Sequence, residues 1–357
     1  MRRKTRTINV GGVKIGSGYP VRIQSMTKTD TRDVRKTTSQ INELEKYGCE
    51  IVRVAVKDMA AAEAIRKIKR KIKIPLVADI HFDYRLALEA IKNGADKIRI
   101  NPGNITDEGD LKKIIRAAKR KRISIRIGLN SGSIQSSVVN RQSIDGLLVK
   151  TALKYIKFFE KESFRDIIIS VKSSSVPETV NAYKEIAFLC GYPLHLGVTA
   201  AGPYDSGIVK SAIGIGSLLL DWIGDTIRVS LTADPIEEVI AAKRILQAVG
   251  SGWFRPNIIS CPTCGRCQVD LVKIVKEAES ALNRFHICGK AANSESGSMT
   301  IAIMGCEVNG PGEAKEADIG VAFGKGFGML FKKGKIVKKI KAKNAVKELL
   351  KCAGARH

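Results

Sequence analysis

Lys97-Ile98-Arg99-Ile100-Asn101 sets an arginine between two isoleucines, in a run short and β-branched enough to be a strand. Val52-Arg53-Val54, Ile125-Arg126-Ile127 and Ile227-Arg228-Val229 repeat the arrangement, and Val171-Lys172 ends a fifth run with a cation. Successive side chains of a strand point to opposite faces, so each of these arginines points away from its apolar neighbours. If helices cover the apolar face, the five cations converge on the other one.

Working outward, β-branched runs fall at residues 21–26, 50–56, 75–80, 97–101, 124–130, 166–172, 193–199 and 226–232. Helical periodicity falls between and after them, at 37–47, 59–69, 84–93, 108–119, 144–162, 177–190, 207–220 and 235–248. Eight strands alternating with eight helices predict an α/β fold, a (β/α)8 TIM barrel, with a doubly wound open sheet as the competing arrangement. Residues 7–16 read as a hairpin about Gly11-Gly12. Gly250-Ser251-Gly252 reads as a linker, giving a barrel over 1–249 and a small α/β domain over 250–357. That domain is expected to hold strands at 257–260, 299–304 and 319–322, helices at 269–284 and 342–352, and a hairpin about Lys332-Lys333-Gly334.

A buried arginine must be paired or await an anion, because an unpaired buried charge is costly. The nearby carboxylates are Asp79, Asp225 and Glu50, so positive charge is left over, and a ligand with more than one phosphate is expected. Structural ion pairs or an exposed strand face would be the plainer explanation. Other polar groups fall at the strand ends where a barrel keeps its site: Asp79 and His81, Asn101 and Asn104, Asn130, Ser230 and Thr232.

The 357 residues carry a net charge of +26, which favours acidic partners. Ten Lys or Arg against Glu348 in residues 332–357 make part of this a solvated face. Aromatic residues are 5% and do not interleave with the basic ones, which argues against a nucleic-acid platform. No apolar run spans a bilayer and no secretion signal follows the basic start, so a cytoplasmic protein is expected, its eight cysteines reduced.

Cys261-Pro262-Thr263-Cys264-Gly265-Arg266-Cys267, together with Cys306 some forty residues later, can bring several thiolates to one centre. Spacing alone allows zinc, using Cys267, Cys288 or Cys306 with the first pair, or an iron-sulfur cluster, or a dithiol pair of Cys261 and Cys264.

Five runs in order carry a resemblance over nearly the whole chain: residues 77–85 (VADIHFDYR), 99–105 (RINPGNI), 224–231 (GDTIRVSL), 261–266 (CPTCGR) and 309–314 (NGPGEA). The chain resembles the 4-hydroxy-3-methylbut-2-enyl diphosphate synthase family, enzymes of the methylerythritol phosphate route to isoprenoids. The resemblance implies an oxidoreductase, a head-to-tail homodimer, and a [4Fe-4S] cluster on Cys261, Cys264, Cys306 and Glu313. It implies 2-C-methyl-D-erythritol 2,4-cyclodiphosphate as substrate, its diphosphate held by Arg53, Arg99, Arg126, Lys172, Arg228 and Ser230. Asp79, His81 and Asn130 would lie near the carbon skeleton, and an acidic ferredoxin or flavodoxin would deliver the electrons. Two positions depart from the family pattern. Ala200 stands where a glutamate is usual, which raises the alternative of a member that binds without turning over, and Cys267 is an extra cysteine. A basic zinc-ribbon protein that binds RNA is the reading from a different class.

Overall fold

The computed structural model describes residues 2–101, 103–133, 143–252, 256–284 and 299–354; Pro102 and Cys288 of the sequence reading lie outside them. The chain divides into two compact units, Met1–Gly252 and Trp253–His357.

The first unit opens with a hairpin, β1 (Ile8–Val10) and β2 (Val13–Ile15), whose turn residues Gly11 and Gly12 both take positive φ, 54° and 94°. That backbone suits a two-residue hairpin turn and strains residues with a Cβ. Parallel strands β3 (Arg22–Met26), β4 (Ile51–Ala55), β5 (Leu76–Ile80), β6 (Lys97–Ile100), β7 (Ser124–Asn130), β8 (Ile167–Lys172), β9 (His195–Leu196) and β10 (Thr226–Ile227) follow. Their order is β8-β7-β6-β5-β4-β3-β10-β9, and a parallel bridge between Ile169 and Leu194 brings the two ends together. This is the TIM-barrel arrangement expected from the repeats.

Helices α1 (Val34–Tyr47), α2 (Met59–Lys69), α3 (Tyr84–Lys92), α4 (Glu108–Lys121), α5 (Ile144–Lys161), α6 (Val176–Leu189), α7 (Tyr204–Leu220) and α8 (Pro235–Ala248) alternate with the strands. Asp33, Asp58, Asp83, Asp107, Ser175 and Asp234 cap α1, α2, α3, α4, α6 and α8 through their side-chain oxygens. Each such cap stabilises by about 1 kcal/mol. The Asp33 cap starts α1 three residues before the expected 37. Ile98, Ile100, Ile125, Ile127, Val52 and Val54 pack outward into the main core, while Ile51, Val77 and Ile168 receive the β1–β2 hairpin at the strands' N-terminal ends.

Two expected strands are much shorter. Residues 193–199 and 226–232 yield only β9 and β10, two residues each. At Gly197 the backbone runs so close that an added Cβ would lie 2.5 Å from Arg228 O and 2.5 Å from Lys172 Nζ. The chain leaves strand geometry there to make room for the lysine.

The second unit holds β11 (Asn257–Ser260), α9 (Leu271–Arg284), β12 (Thr300–Met304), α10 (Gly310–Glu316), β13 (Ile319–Phe323), β14 (Phe327–Lys332), β15 (Lys335–Lys341) and α11 (Ala345–Cys352). Its sheet runs β11-β12-β13-β14-β15, the first three parallel and the last two antiparallel. The expected helix over 342–352 begins as a 3-10 turn at Ala342–Asn344. Helix α10 was expected as loop, since its Gly-Pro-Gly start disguises it; Pro311 sits in the first turn, where its missing N–H costs nothing.

Candidate functional site

All five strand cations point into the barrel. Arg126 is 1% exposed, Arg99 and Lys172 are buried, and Arg53 and Arg228 are nearly so. Register places Asp79 of β5 beside Arg99 of β6, and Arg99 beside Arg126 of β7. Arg99 Nη1 lies 3.0 Å from Asp79 Oδ1, its Nη2 donates to Gly128 O at 3.0 Å, and Arg53 Nε lies 3.7 Å from Asp79 Oδ2. Gly128 is required here: a Cβ would stand 2.7 Å from Arg99 Nε.

At the rim, His81 is 47% exposed, with Nε2 3.5 Å from Asp79 Oδ2 and 3.4 Å from Arg99 Nη1, and Nδ1 3.4 Å from Asn104 Nδ2. Asn130 closes β7 opposite Lys172 and is half-buried. Arg228 Nη1 donates to Ser230 Oγ at 2.6 Å. The barrel thus gathers Arg53, Asp79, His81, Arg99, Arg126, Asn130, Lys172, Arg228 and Ser230 in one unit.

The carboxylate accounting differs from expectation. Asp225 instead pairs with Arg2 and accepts from Leu194 N, and Glu50 pairs with Arg22 outside the barrel. The second carboxylate inside is Glu238 of α8, which the sequence reading missed. It lies 3.3 Å from Arg228 Nη2 and 3.7 Å from Lys28 Nζ, and accepts from Leu231 N at 3.0 Å. Lys97, Gln24 and His195 were missed as well. They are fully or almost fully buried on inward positions, Lys97 Nζ lying 3.5 Å from Gln24 Oε1 and His195 Nδ1 2.8 Å from Thr226 Oγ1.

Against six buried or nearly buried cations, Arg53, Lys97, Arg99, Arg126, Lys172 and Arg228, the described residues supply the carboxylates Asp79 and Glu238. Burial would raise the Asp79 carboxyl, but Arg53, the His81 hydrogen bond, Arg99 and Arg126 hold it well below its usual range. Burial first, then repulsion from Arg126 and Arg53, with Arg228 and Arg99 added for Lys172, pushes Lys97 and Lys172 well below the usual ammonium range. Arg126 Nε and Nη1 have no hydrogen-bond partner among the described residues, nor do Arg99 Nε, Arg228 Nε, His195 Nε2 and Gln24 Nε2. Buried donors left unmade cost about 1–3 kcal/mol each, and the arrangement suits an anion with several oxygens.

In the second unit Cys261 follows β11 and Gly305-Cys306 follows the neighbouring parallel β12, so both leave the sheet at the same end. Cys261 Sγ accepts from Gly305 N at 3.3 Å. A Cβ at Gly305 would lie 2.5 Å from Cys267 Sγ and 3.5 Å from Cys261 Sγ, so only glycine fits between these sulfurs. The backbone N–H groups of Val308, Asn309 and Gly310 aim at Cys306 and lower its thiol below the usual value. Cys264 is exposed on the turn, and Glu313 is exposed in the first turn of α10. Cys267 donates to Val269 O at 3.2 Å. Among the described residues no three His, Cys, Asp or Glu side chains already stand close enough to share a metal ion. The donor types nevertheless fit iron or zinc, with thiols borne on loops at one end of one sheet and a carboxylate in the first turn of α10.

Solved structures with similar folds include dihydropteroate synthase from Stenotrophomonas maltophilia, TM-score 0.54 and 14% identity over 69% of this chain and 98% of that one. The Yersinia pestis dihydropteroate synthase gives TM-score 0.51 and 11% identity over 69% and 98%. At such identity they show the fold alone. Relatives similar in sequence include proteins named 4-hydroxy-3-methylbut-2-en-1-yl diphosphate synthase (flavodoxin). That of Fusobacterium nucleatum is 52% identical over 354 residues, 98% of this chain and 97% of its own length. That of Caldicellulosiruptor saccharolyticus is 53% identical over 349 residues, 97% of each. A family model described as the GcpE TIM-barrel domain matches residues 5–243, and one described as the GcpE protein C-terminal domain matches 257–354. On both its barrel and its small domain, this chain belongs to the GcpE family.

Proposed function

We propose that the chain converts 2-C-methyl-D-erythritol 2,4-cyclodiphosphate to 4-hydroxy-3-methylbut-2-enyl diphosphate. Two electrons enter with the protons that balance them, one carbon–oxygen bond of the cyclic diphosphate breaks to open the ring, and a hydroxyl leaves as water. The observation that carries this reading is the surplus of buried cation in the barrel, six against two carboxylates among the described residues, which also leave Arg126 Nε and Nη1 without a hydrogen-bond partner. Names of relatives alike over nearly the full length support it, and they give no support to a zinc-ribbon RNA-binding protein or a non-catalytic binder.

In this reading Arg53, Arg99, Arg126, Lys172, Arg228 and Ser230 bind the diphosphate, and Asp79 and Glu238 hold Arg53, Arg99 and Arg228 in place before it arrives. His81 and Asn130 at the rim face the carbon skeleton. Cys261, Cys264, Cys306 and Glu313 hold a [4Fe-4S] cluster, which supplies electrons one at a time and a Lewis-acidic iron. The donor is flavodoxin, as the relatives' names say of them. The working form is a homodimer, as the family resemblance implies. Ala200 lies exposed in a turn with φ 48°, so no carboxylate reaches out from that position.

Anaerobic purification, optical and EPR spectra with and without the cyclodiphosphate, and single turnover with dithionite and a viologen test this. A brown protein whose reduced signal responds to the cyclodiphosphate and which releases the linear diphosphate is expected. A colourless zinc protein, or a brown one that makes no product, would overturn it.

A further inference from the structure

The small domain carries a surface that neither the barrel chemistry nor the cysteine turn uses. The β13–β14 turn, Gly324-Lys325-Gly326, is closed by a hydrogen bond from Gly324 N to Phe327 O at 2.8 Å. It lies against the loop of Cys306: a Cβ on Gly324 would come within 3.0 Å of Glu307 Oε2. Phe327 leaves this turn 42% exposed. Register sets Lys341 opposite Phe327 and Lys339 opposite Met329, and paired residues of neighbouring strands share a face. Lys339 Nζ sits 4.4 Å from the Phe327 ring centroid.

On that face α10 covers β12 and β13 through Ala314, which packs with Ala302, Met304 and Ala322. The end of β14 and β15 lies beyond it. Lys325, Lys339, Lys341 and Lys343 are all exposed there, and no ion pair engages them among the described residues, whereas Lys338 is held by Glu348 at 2.5 Å. Glu307 is the acidic side chain seen against the turn. The result is an exposed aromatic ring collared by lysines, one turn away from the cysteine loop. A small apolar centre with a charged rim is how transient protein partners of opposite charge are steered and released.

We infer that Phe327 with Lys325, Lys339, Lys341 and Lys343 forms the docking surface for an acidic one-electron flavoprotein of the flavodoxin type, placing its flavin edge toward the Cys306 loop. This rests on the proposed reductive function. Charge complementarity selects the partner: the patch is cationic, as is the whole chain at +26, and the carrier must present an acidic face around its cofactor.

The test compares the holoenzyme with the Lys325→Glu/Lys339→Glu/Lys341→Glu variant. A control, Lys67→Glu/Lys71→Glu/Lys73→Glu, makes the same charge change on exposed residues of the barrel unit. Binding to a purified FMN-loaded acidic flavodoxin is followed by calorimetry at 20 and 200 mM salt, and the reduction rate is measured with flavodoxin and separately with methyl viologen. The patch variant should bind flavodoxin about 30-fold more weakly at low salt, within the range that steering supplies, and lose most of its salt dependence. The control should change less than about 3-fold by the same measure. Viologen-driven turnover and the oligomeric state should be unaffected in both. Equal weakening in the two variants would overturn the local surface in favour of overall charge. Unchanged flavodoxin binding would overturn it outright, as would a patch variant with an altered oligomeric state, since the face would then belong to a second copy. Failure of viologen-driven turnover in the unsubstituted enzyme would instead refute the reductive function.

Discussion

Replacing Arg126 by Met should make the ligand-free protein more stable and a poor binder. The guanidinium is fully buried, two of its nitrogens lack partners among the described residues, and burial with Arg53 and Arg99 depresses its basicity. Exchange of buried ionic groups for apolar ones of similar volume is often neutral or stabilising by about 1–4 kcal/mol. Taking about 2 kcal/mol, and about 2–4 °C per kcal/mol for a domain of this size, the barrel's transition should rise by about 4–8 °C. Binding moves the other way. Loss of a buried charge-assisted contact costs about 2–5 kcal/mol, which is about 30- to 4,000-fold in affinity. Differential scanning fluorimetry without ligand and calorimetry with the cyclodiphosphate read the two effects. A lower melting temperature together with unchanged affinity would refute the reasoning, because it would mean that Arg126 is satisfied within the protein itself.

Glu238→Gln should lower stability by about 3 kcal/mol by breaking a buried ion pair, seen as a fall of about 6–12 °C in melting temperature, and should raise KM by freeing Arg228. Gly197→Ala should destabilise by about 1–3 kcal/mol and weaken substrate binding, since the added methyl meets the Arg228 carbonyl and displaces Lys172. The ligand-free protein should gain stability as pH rises toward 10. Lys97 and Lys172 are held well below the ordinary lysine value of about 10.4, so as pH rises toward that value the folded chain gives up these protons before the unfolded one does. Denaturant melts of Lys97→Met should show a slope flatter by up to about 1.4 kcal/mol per pH unit. Buried neutral His195 adds a loss of stability as pH falls below about 6.5, while Asp79 keeps contributing until pH falls well below 3.9.

The barrel was legible because its signal is periodic. An arginine flanked by Ile or Val can bury its neighbours only if it turns inward, and the four such strands did. Strands β9 and β10 were overdrawn because their β-branched composition continues past the point where Gly197 bends the chain around Lys172. Glu238 was invisible for a different reason. It follows Glu237 in the first turn of α8, where acidic residues are common, and only its rotation about the helix axis separates the buried Glu238 from the half-buried Glu237. Lys97 occupies the strand position two residues before Arg99, where inward alternation could have marked it, but lysine reads as a surface residue. The cysteine loops were readable only as a list of candidate donors. Their spacing could not say how far Cys264 and Glu313 stand from Cys261 and Cys306.

The β1–β2 hairpin has a consequence for how the chain is made. Ile8, Val10 and Ile15 find their final cover on Ile51, Val77 and Ile168, so the hairpin is completed by residues synthesised up to about 150 positions after it. At about 5–20 residues per second that is roughly 8–30 s with an apolar ribbon unclaimed. Newly made chain therefore passes through a long interval in which this hairpin is open to chaperones and to other nascent chains, and expression temperature should govern soluble yield more strongly than the finished fold's stability would suggest.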